Sequence, residues 1–179
     1  MTTRVLLVCH AATAATRHTA FPGDEPLRAT GTPDPLPRAH RAVSGPERRC
    51  RQTAELFGLR PLIEPRLRDC DYGRWRGRTL AELSEAEPAA VREWLTDPAT
   101  APPAGESIVD LIGRVSGWLD EQAGVRGRVV AITHPAAIRA ALVHAIRATP
   151  ESFWRIDVAP LSRTALSGTG GRWTLSALG

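Results

Sequence analysis

Two segments far apart in this chain are built alike: RVLLVCHAAT at 4–13 and RVVAITHPAA at 128–137. Each begins Arg-Val, runs through apolar residues for the length of a strand, ends on a histidine and continues into small, helix-forming residues. An apolar run without polar alternation belongs to a strand covered on both faces, as inside a parallel sheet. Two such strands demand helices above and below a common sheet. The likeness is too short for an internal repeat. It is one strand-to-helix device used twice.

The rest of the pattern agrees. Residues 20–46 are rich in Pro and Gly and read as a long loop, functional or disordered, with a short helix near 37–43. The segment SGPERRCRQTAELFG predicts a helix over 47–57 stopped by Gly58. A short strand is expected at 59–64. Helical periodicity covers 79–94, broken around Pro88, and 106–123, where Ile108, Leu111, Ile112, Val115 and Leu119 share one side. A strand at 129–133 leads through His134-Pro135 into a helix ending near Ile146. Strands are expected at 155–158, 163–167 and 172–177, the last two joined by SGTGG. The reading is a single domain over 1–179: a three-layer α/β/α sandwich with a mostly parallel central sheet and antiparallel additions late in the chain.

Composition narrows the functional classes. The chain has 179 residues and a formal charge of +4, and all 23 of its Lys+Arg residues are Arg. Arginine suits two-pronged recognition of phosphate or carboxylate. These arginines are dispersed and aromatic residues are only 5%, which speaks against a nucleic-acid surface and for a small anionic substrate. No apolar run reaches membrane-spanning length, and no secretory leader is read at the N-terminus. Cys9, Cys50 and Cys70 fit neither a zinc-ligand spacing nor a disulfide framework, so a cytoplasmic location is expected. A homodimer is left open.

In an open α/β sheet, ligands gather beyond the carboxyl ends of strands. His10 and His134 both stand at such ends, and a helix starting after each would aim free N–H groups at the same place. On the residues alone, the pair could be metal ligands, an acid–base couple, or a nucleophile with an electrostatic partner. His18, His40 and His144 lack this context and read as ordinary.

Six segments, in order, resemble the histidine phosphatase superfamily, the phosphoglycerate mutase-like proteins. Cys9-His10-Ala11-Ala12-Thr13 stands where members have Arg-His-Gly-Glu-Thr, and Thr16 takes the place of an Asn. Phe21-Pro22-Gly23-Asp24-Glu25-Pro26-Leu27 is similar to a Phe-x-Gly…Asp-x-Pro-Leu segment. SGPERRCRQTAE (44–55) resembles Ser-Ser-Pro-Leu-x-Arg-Ala-x-Gln-Thr-Ala. RLRDCDYGRWRG (66–77) resembles Leu-x-Glu-x-x-Phe-Gly-x-Trp-Glu-Gly. PPAGES (102–107), with a following helix containing Arg114, matches a Gly-Glu-Ser segment, and ITHPAAIRAAL (132–142) matches the second histidine motif.

The resemblance implies a metal-independent phosphatase with no cofactor, acting on a small phosphorylated metabolite. His10 would be the nucleophile that forms a phosphohistidine. Arg49 and His134 would clamp the phosphoryl oxygens, Asp69 would be the acid/base, and Thr16 and the Gly23 backbone would add phosphate contacts. The departures are concentrated near the chemistry. Cys9 replaces an Arg, Ala11 and Ala12 replace Gly and Glu, Pro135 replaces Gly, Arg76 replaces Glu, and Asp69 is one methylene short. Arg17, Arg74 or Arg76 could refill the missing clamp, or Cys9 could itself be a nucleophile. Two other functions stay open: an anion-binding protein without turnover, and a non-phosphatase enzyme using His10 and His134 as an acid–base pair.

Overall fold

The computed structural model describes residues 2–178. Six strands form one sheet: β1 (Thr2–Cys9), β2 (Arg41–Ser44), β3 (Leu62–Ile63), β4 (Gly127–Thr133), β5 (Arg163–Thr169) and β6 (Arg172–Leu178), in the order β3-β2-β4-β1-β5-β6. The strands β3, β2, β4 and β1 are mutually parallel, whereas β5 and β6 are antiparallel additions. The helices are α1 (Ala14–His18), α2 (Arg48–Leu56), α3 (Leu80–Ala86), α4 (Pro88–Thr96), α5 (Ile108–Gln122) and α6 (Pro135–Ala145). The expected mixed α/β sandwich is what forms. No helix among the described residues is long and apolar enough to cross a membrane.

The period of two along β1 and β4 sorts the core. Val5, Leu7 and Cys9, with Val129 and Ala131, belong to the large cluster that includes α5 and α6 residues such as Leu111, Leu119 and Ile138. Val8, Val130 and Ile132 turn the other way, onto Cys50 and Ala54 of α2. Each fully buried Val, Leu or Ile among them contributes about 1.5–3 kcal/mol. The same alternation aims the next residues, His10 and His134, at the α2 side.

Four expectations give way to tertiary context. Residues 41–44 form a strand, not part of a helix near 37–43, because Val43 and Ser44 pair with both β3 and β4. Only Leu62–Ile63 of the 59–64 segment pairs, at the exposed sheet edge. In place of a strand at 155–158, a 3₁₀ turn spans Pro150–Arg155 and buries Phe153. No helix follows His10 directly; the first begins at Ala14, capped by Thr13.

An aromatic chain ties down the segments that approach the sheet's carboxyl end. Phe21 lies 4.8 Å from Tyr72 and 5.6 Å from Trp75, and Trp75 lies 5.6 Å from Trp94, ring centre to ring centre. Backbone bonds Phe21 N–H to Arg78 O and Gly77 N–H to Phe21 O fasten the two loops together. Gly73 is required at this crossing: its φ is +52°, and a Cβ would stand 2.2 Å from the Pro103 carbonyl oxygen.

Candidate active site

The register of β1 on β4 pairs Cys9 with Thr133, so His10 and His134 emerge as neighbours, and the His10 N–H donates to the Thr133 carbonyl at 2.9 Å. Their ring centres are 5.3 Å apart at 64°. His10 is 5% exposed and His134 fully buried. The Nδ1 of His10 lies 2.7 Å from the carbonyl oxygen of Ala11. A carbonyl only accepts, so Nδ1 carries the proton and Nε2 keeps its lone pair. Burial, reinforced by the neighbouring His134 and Arg49, lowers the pKa of His10 to about 4. At neutral pH it is therefore an uncharged imidazole with one free nitrogen, the form a nucleophile needs.

Helix α2 supplies the opposite wall. Arg49 is 1% exposed. Its Nε donates to His134 Nδ1 at 3.2 Å, its Nη2 to Asp69 Oδ2 at 2.6 Å, and its Nη1 to the Gly23 carbonyl. Because a guanidinium only donates, His134 Nδ1 accepts, and its Nε2–H is left to donate to Glu47 Oε2 at 2.7 Å. Glu47 Oε1 also accepts the Asp69 backbone N–H at 3.0 Å. Burial alone would raise the Glu47 pKa, but its hydrogen bonds from His134 and from that N–H hold it down at about 2. Cys50 Sγ sits 3.2 Å from His134 Nε2.

The segment carrying Asp69 is fixed from below. Arg114 donates to the carbonyls of Arg66, Arg68 and Asp69 and pairs with Glu106 at 2.7 Å. Asp69 Oδ1 accepts the Cys70 N–H at 2.9 Å. On the other side, Thr53 Oγ1 accepts the Ala11 N–H at 2.9 Å and donates to the Arg49 carbonyl at 2.7 Å, linking the residue after His10 to α2.

The structure thus brings His10, Arg49, Asp69 and His134 into one buried cluster and leaves the secondary candidates around it. Gly23 faces Arg49 with its carbonyl. Thr16 is exposed, and its hydroxyl closes the capping box of α1 with Thr13. Arg17 and Arg74 are exposed. Arg76 lines a cavity of about 180 Å³ that opens beside Arg49 and Asp69, and its Nη2 rests on Asp71 at 2.9 Å. Cys9 has no exposed surface and points into the α5/α6 core. Burial pushes its thiol up to about 12, which removes it as a nucleophile.

Several participants went unnoticed in the sequence. Glu47 and Cys50 stand where the family pattern has Leu and Ala, so the aligned motif itself held the signal. Arg68 shares the cavity wall with Arg76. The cavity is not a positive hollow: Arg49, Arg68 and Arg76 meet Asp24, Glu47, Asp69 and Asp71, three positive groups against four negative.

Residues 5–179 match the family described as the histidine phosphatase superfamily (branch 1). Over 128 residues the chain is 34% identical to a bifunctional protein of Mycobacterium tuberculosis, covering 67% of this chain and 35% of that one. It is 31% identical over 109 residues to phosphoserine phosphatase 1 of Hydrogenobacter thermophilus, covering 58% and 50%. The chain therefore spans about a third to a half of these relatives' lengths. Among solved structures, a mycobacterial glucosyl-3-phosphoglycerate phosphatase with VO3 superposes with a TM-score of 0.83 at 26% identity, covering 97% of both chains.

Proposed function

This chain belongs to the histidine phosphatase superfamily, and we propose that it hydrolyses monoesters of small phosphorylated metabolites through a phosphohistidine at His10. The observation that carries the reading is the His10–Ala11 hydrogen bond at 2.7 Å. It holds the proton on Nδ1 and presents an unprotonated Nε2 beside His134 and Arg49. The relatives named phosphoserine phosphatase and glucosyl-3-phosphoglycerate phosphatase support a phosphatase-like activity on compounds of this class.

In the proposed reaction a phosphoryl group takes Arg49 from Asp69. The freed carboxyl, now beside a second anion, takes up a proton. His10 Nε2 attacks phosphorus, the bond to the leaving oxygen breaks, and Asp69 delivers its proton to that oxygen. Asp69 then draws a proton from water as the water oxygen attacks phosphorus and the N–P bond breaks. Phosphate and neutral His10 are regenerated. Alignment and charge clamping supply most of the acceleration in such transfers. With Cys9 in place of a clamp, turnover is expected to be slower by roughly 10²–10³ than with two arginines.

The loss of the first clamp, with a buried Cys9 in its place, favours one second reading, an anion-binding protein without turnover. Hydrolysis of p-nitrophenyl phosphate by the wild-type protein, abolished in His10→Ala, supports the phosphatase. Protection from thermal unfolding by phosphate without any hydrolysis supports the binder.

A further inference from the structure

We propose that Thr53 is the positioning residue that keeps the His10 ring in its reactive tautomer and in register with Arg49. Its kinetic consequence rests on the phosphatase reading, whereas its effect on the imidazole does not.

Strand β1 ends at Cys9, so His10 and the residues after it have no strand ladder to hold them. Backbone groups secure most of this turn. The His10 N–H goes to the Thr133 carbonyl at 2.9 Å, the His10 carbonyl takes the Leu161 N–H at 3.4 Å, and the Ala12 carbonyl takes the Arg28 N–H at 2.9 Å. At Ala11 the hold is a side chain. The Ala11 N–H donates to Thr53 Oγ1 at 2.9 Å, and both residues are fully buried. The Ala11 carbonyl, in turn, is the acceptor that fixes the proton on His10 Nδ1. The residue whose carbonyl sets the tautomer is therefore the one whose N–H rests on Thr53.

The hydroxyl has one arrangement open to it. Its only proton goes to the Arg49 carbonyl, four residues back in α2, at 2.7 Å. That bond turns the oxygen's lone pairs toward Ala11, so Thr53 can only accept there. Serine has the same donor and acceptor on a freer χ1, while valine keeps the branched shape and offers no acceptor. Without an acceptor the Ala11 N–H is buried and unsatisfied, a cost that favours turning the peptide. A turned Ala11 takes its carbonyl away from Nδ1. The imidazole proton can then move to Nε2 and cover the lone pair that attacks. Because the Arg49 carbonyl belongs to the residue that carries the guanidinium, the same hydroxyl fixes the spacing between nucleophile and clamp. Thr53 does not line the cavity, so it acts through these two neighbours.

The test reads the tautomer by long-range ¹H–¹⁵N NMR on the ¹⁵N-labelled full chain at neutral pH, with His10→Asn identifying the His10 signals. The wild-type protein should show the neutral Nδ1–H pattern. Thr53→Val should shift the His10 nitrogens toward the Nε2–H pattern, and Thr53→Ser should restore them. Thr53→Ala removes the same hydroxyl with a smaller side chain; it should act as valine does and serves where the valine variant does not fold. The His144 nitrogens, tied to Asp120 at the far end of α6, should stay in place throughout. With p-nitrophenyl phosphate, kcat in Thr53→Val should fall roughly ten- to hundredfold while KM stays within about twofold. A tautomer shift in a protein that shows no turnover would remove the phosphatase reading and leave Thr53 its role. The proposal would be overturned by His10 nitrogens unchanged in the hydroxyl-free variants, or by a serine variant as altered as the valine one. Movement of the His144 signals alongside those of His10, or an unchanged kcat in an active protein, would also overturn it.

Discussion

Arg49 Nη2 and Asp69 Oδ2 form a buried ion pair 2.6 Å long. The pair joins the base of α2 to the loop after Leu67, so that loop's conformation and the guanidinium's aim are set together. Removing one partner leaves the other largely buried without its counter-charge. Arg49→Ala should therefore lower stability by about 3–5 kcal/mol, measured by urea denaturation. Asp69→Asn retains an acceptor for Arg49 and should lose less stability. Its cost should fall on kcat, by roughly 10²–10⁴, because an amide cannot deliver or take the proton.

Cys9 is packing, although it stands where the family has a clamp. Cys9→Ala should cost about 1 kcal/mol of stability, the loss of one small buried group, and should leave turnover near the wild-type value. A collapse of activity in Cys9→Ala without unfolding would restore the thiol as a participant.

Arg114 holds the Asp69 segment through three carbonyls and Glu106. Arg114→Ala leaves those carbonyls without their donor and Glu106 with only the longer, half-exposed pair to Arg68 at 3.2 Å, and should destabilise the protein by about 3 kcal/mol. A thermal melt reads this directly. Arg76, by contrast, makes a half-exposed pair with Asp71. Arg76→Ala should leave the melt within about 1 kcal/mol of wild type while weakening phosphate binding several-fold, because it removes one of three positive groups at the cavity wall.

Acid should destabilise the protein in two successive windows. His10 has a folded pKa of about 4 against an ordinary 6.5, so as pH falls the unfolded chain binds the proton first. Stability drops from about pH 6.5 down to about 4, by on the order of 3 kcal/mol. Glu47, held at about 2 against an ordinary 4.5, adds its own loss between about 4.5 and 2. Denaturation curves taken across this range should lose the upper window in His10→Asn. A profile unchanged by that substitution would contradict the buried neutral imidazole.

Much of this site was legible in the sequence, and for a physical reason. Unbroken apolar strands ending on histidine fix the parallel sheet and, through its carboxyl ends, the meeting of His10 with His134. The aligned arginine of α2 follows from the motif around Gln52 and Thr53. What the sequence obscured depends on tertiary pairing. Val43 and Ser44 become a strand only because β4 is there to receive them, and 155–158 stays unpaired because Phe153 draws that segment into the core. The two carboxylates facing Arg49 and His134 were hidden for another reason. Glu47 read as the opening of a helix, and its inward turn depends on the Asp69 N–H and the His134 ring, which arrive from elsewhere in the chain.

The central claim is that His10 Nε2 bonds to phosphorus. It is tested most directly by rapid-quench trapping with p-nitrophenyl phosphate, followed by peptide mass spectrometry at alkaline pH. An acid-labile, base-stable phosphoryl group is expected on the peptide containing His10 and should be absent in His10→Ala. Hydrolysis that proceeds without any such adduct, or an adduct that survives in His10→Ala, would contradict it.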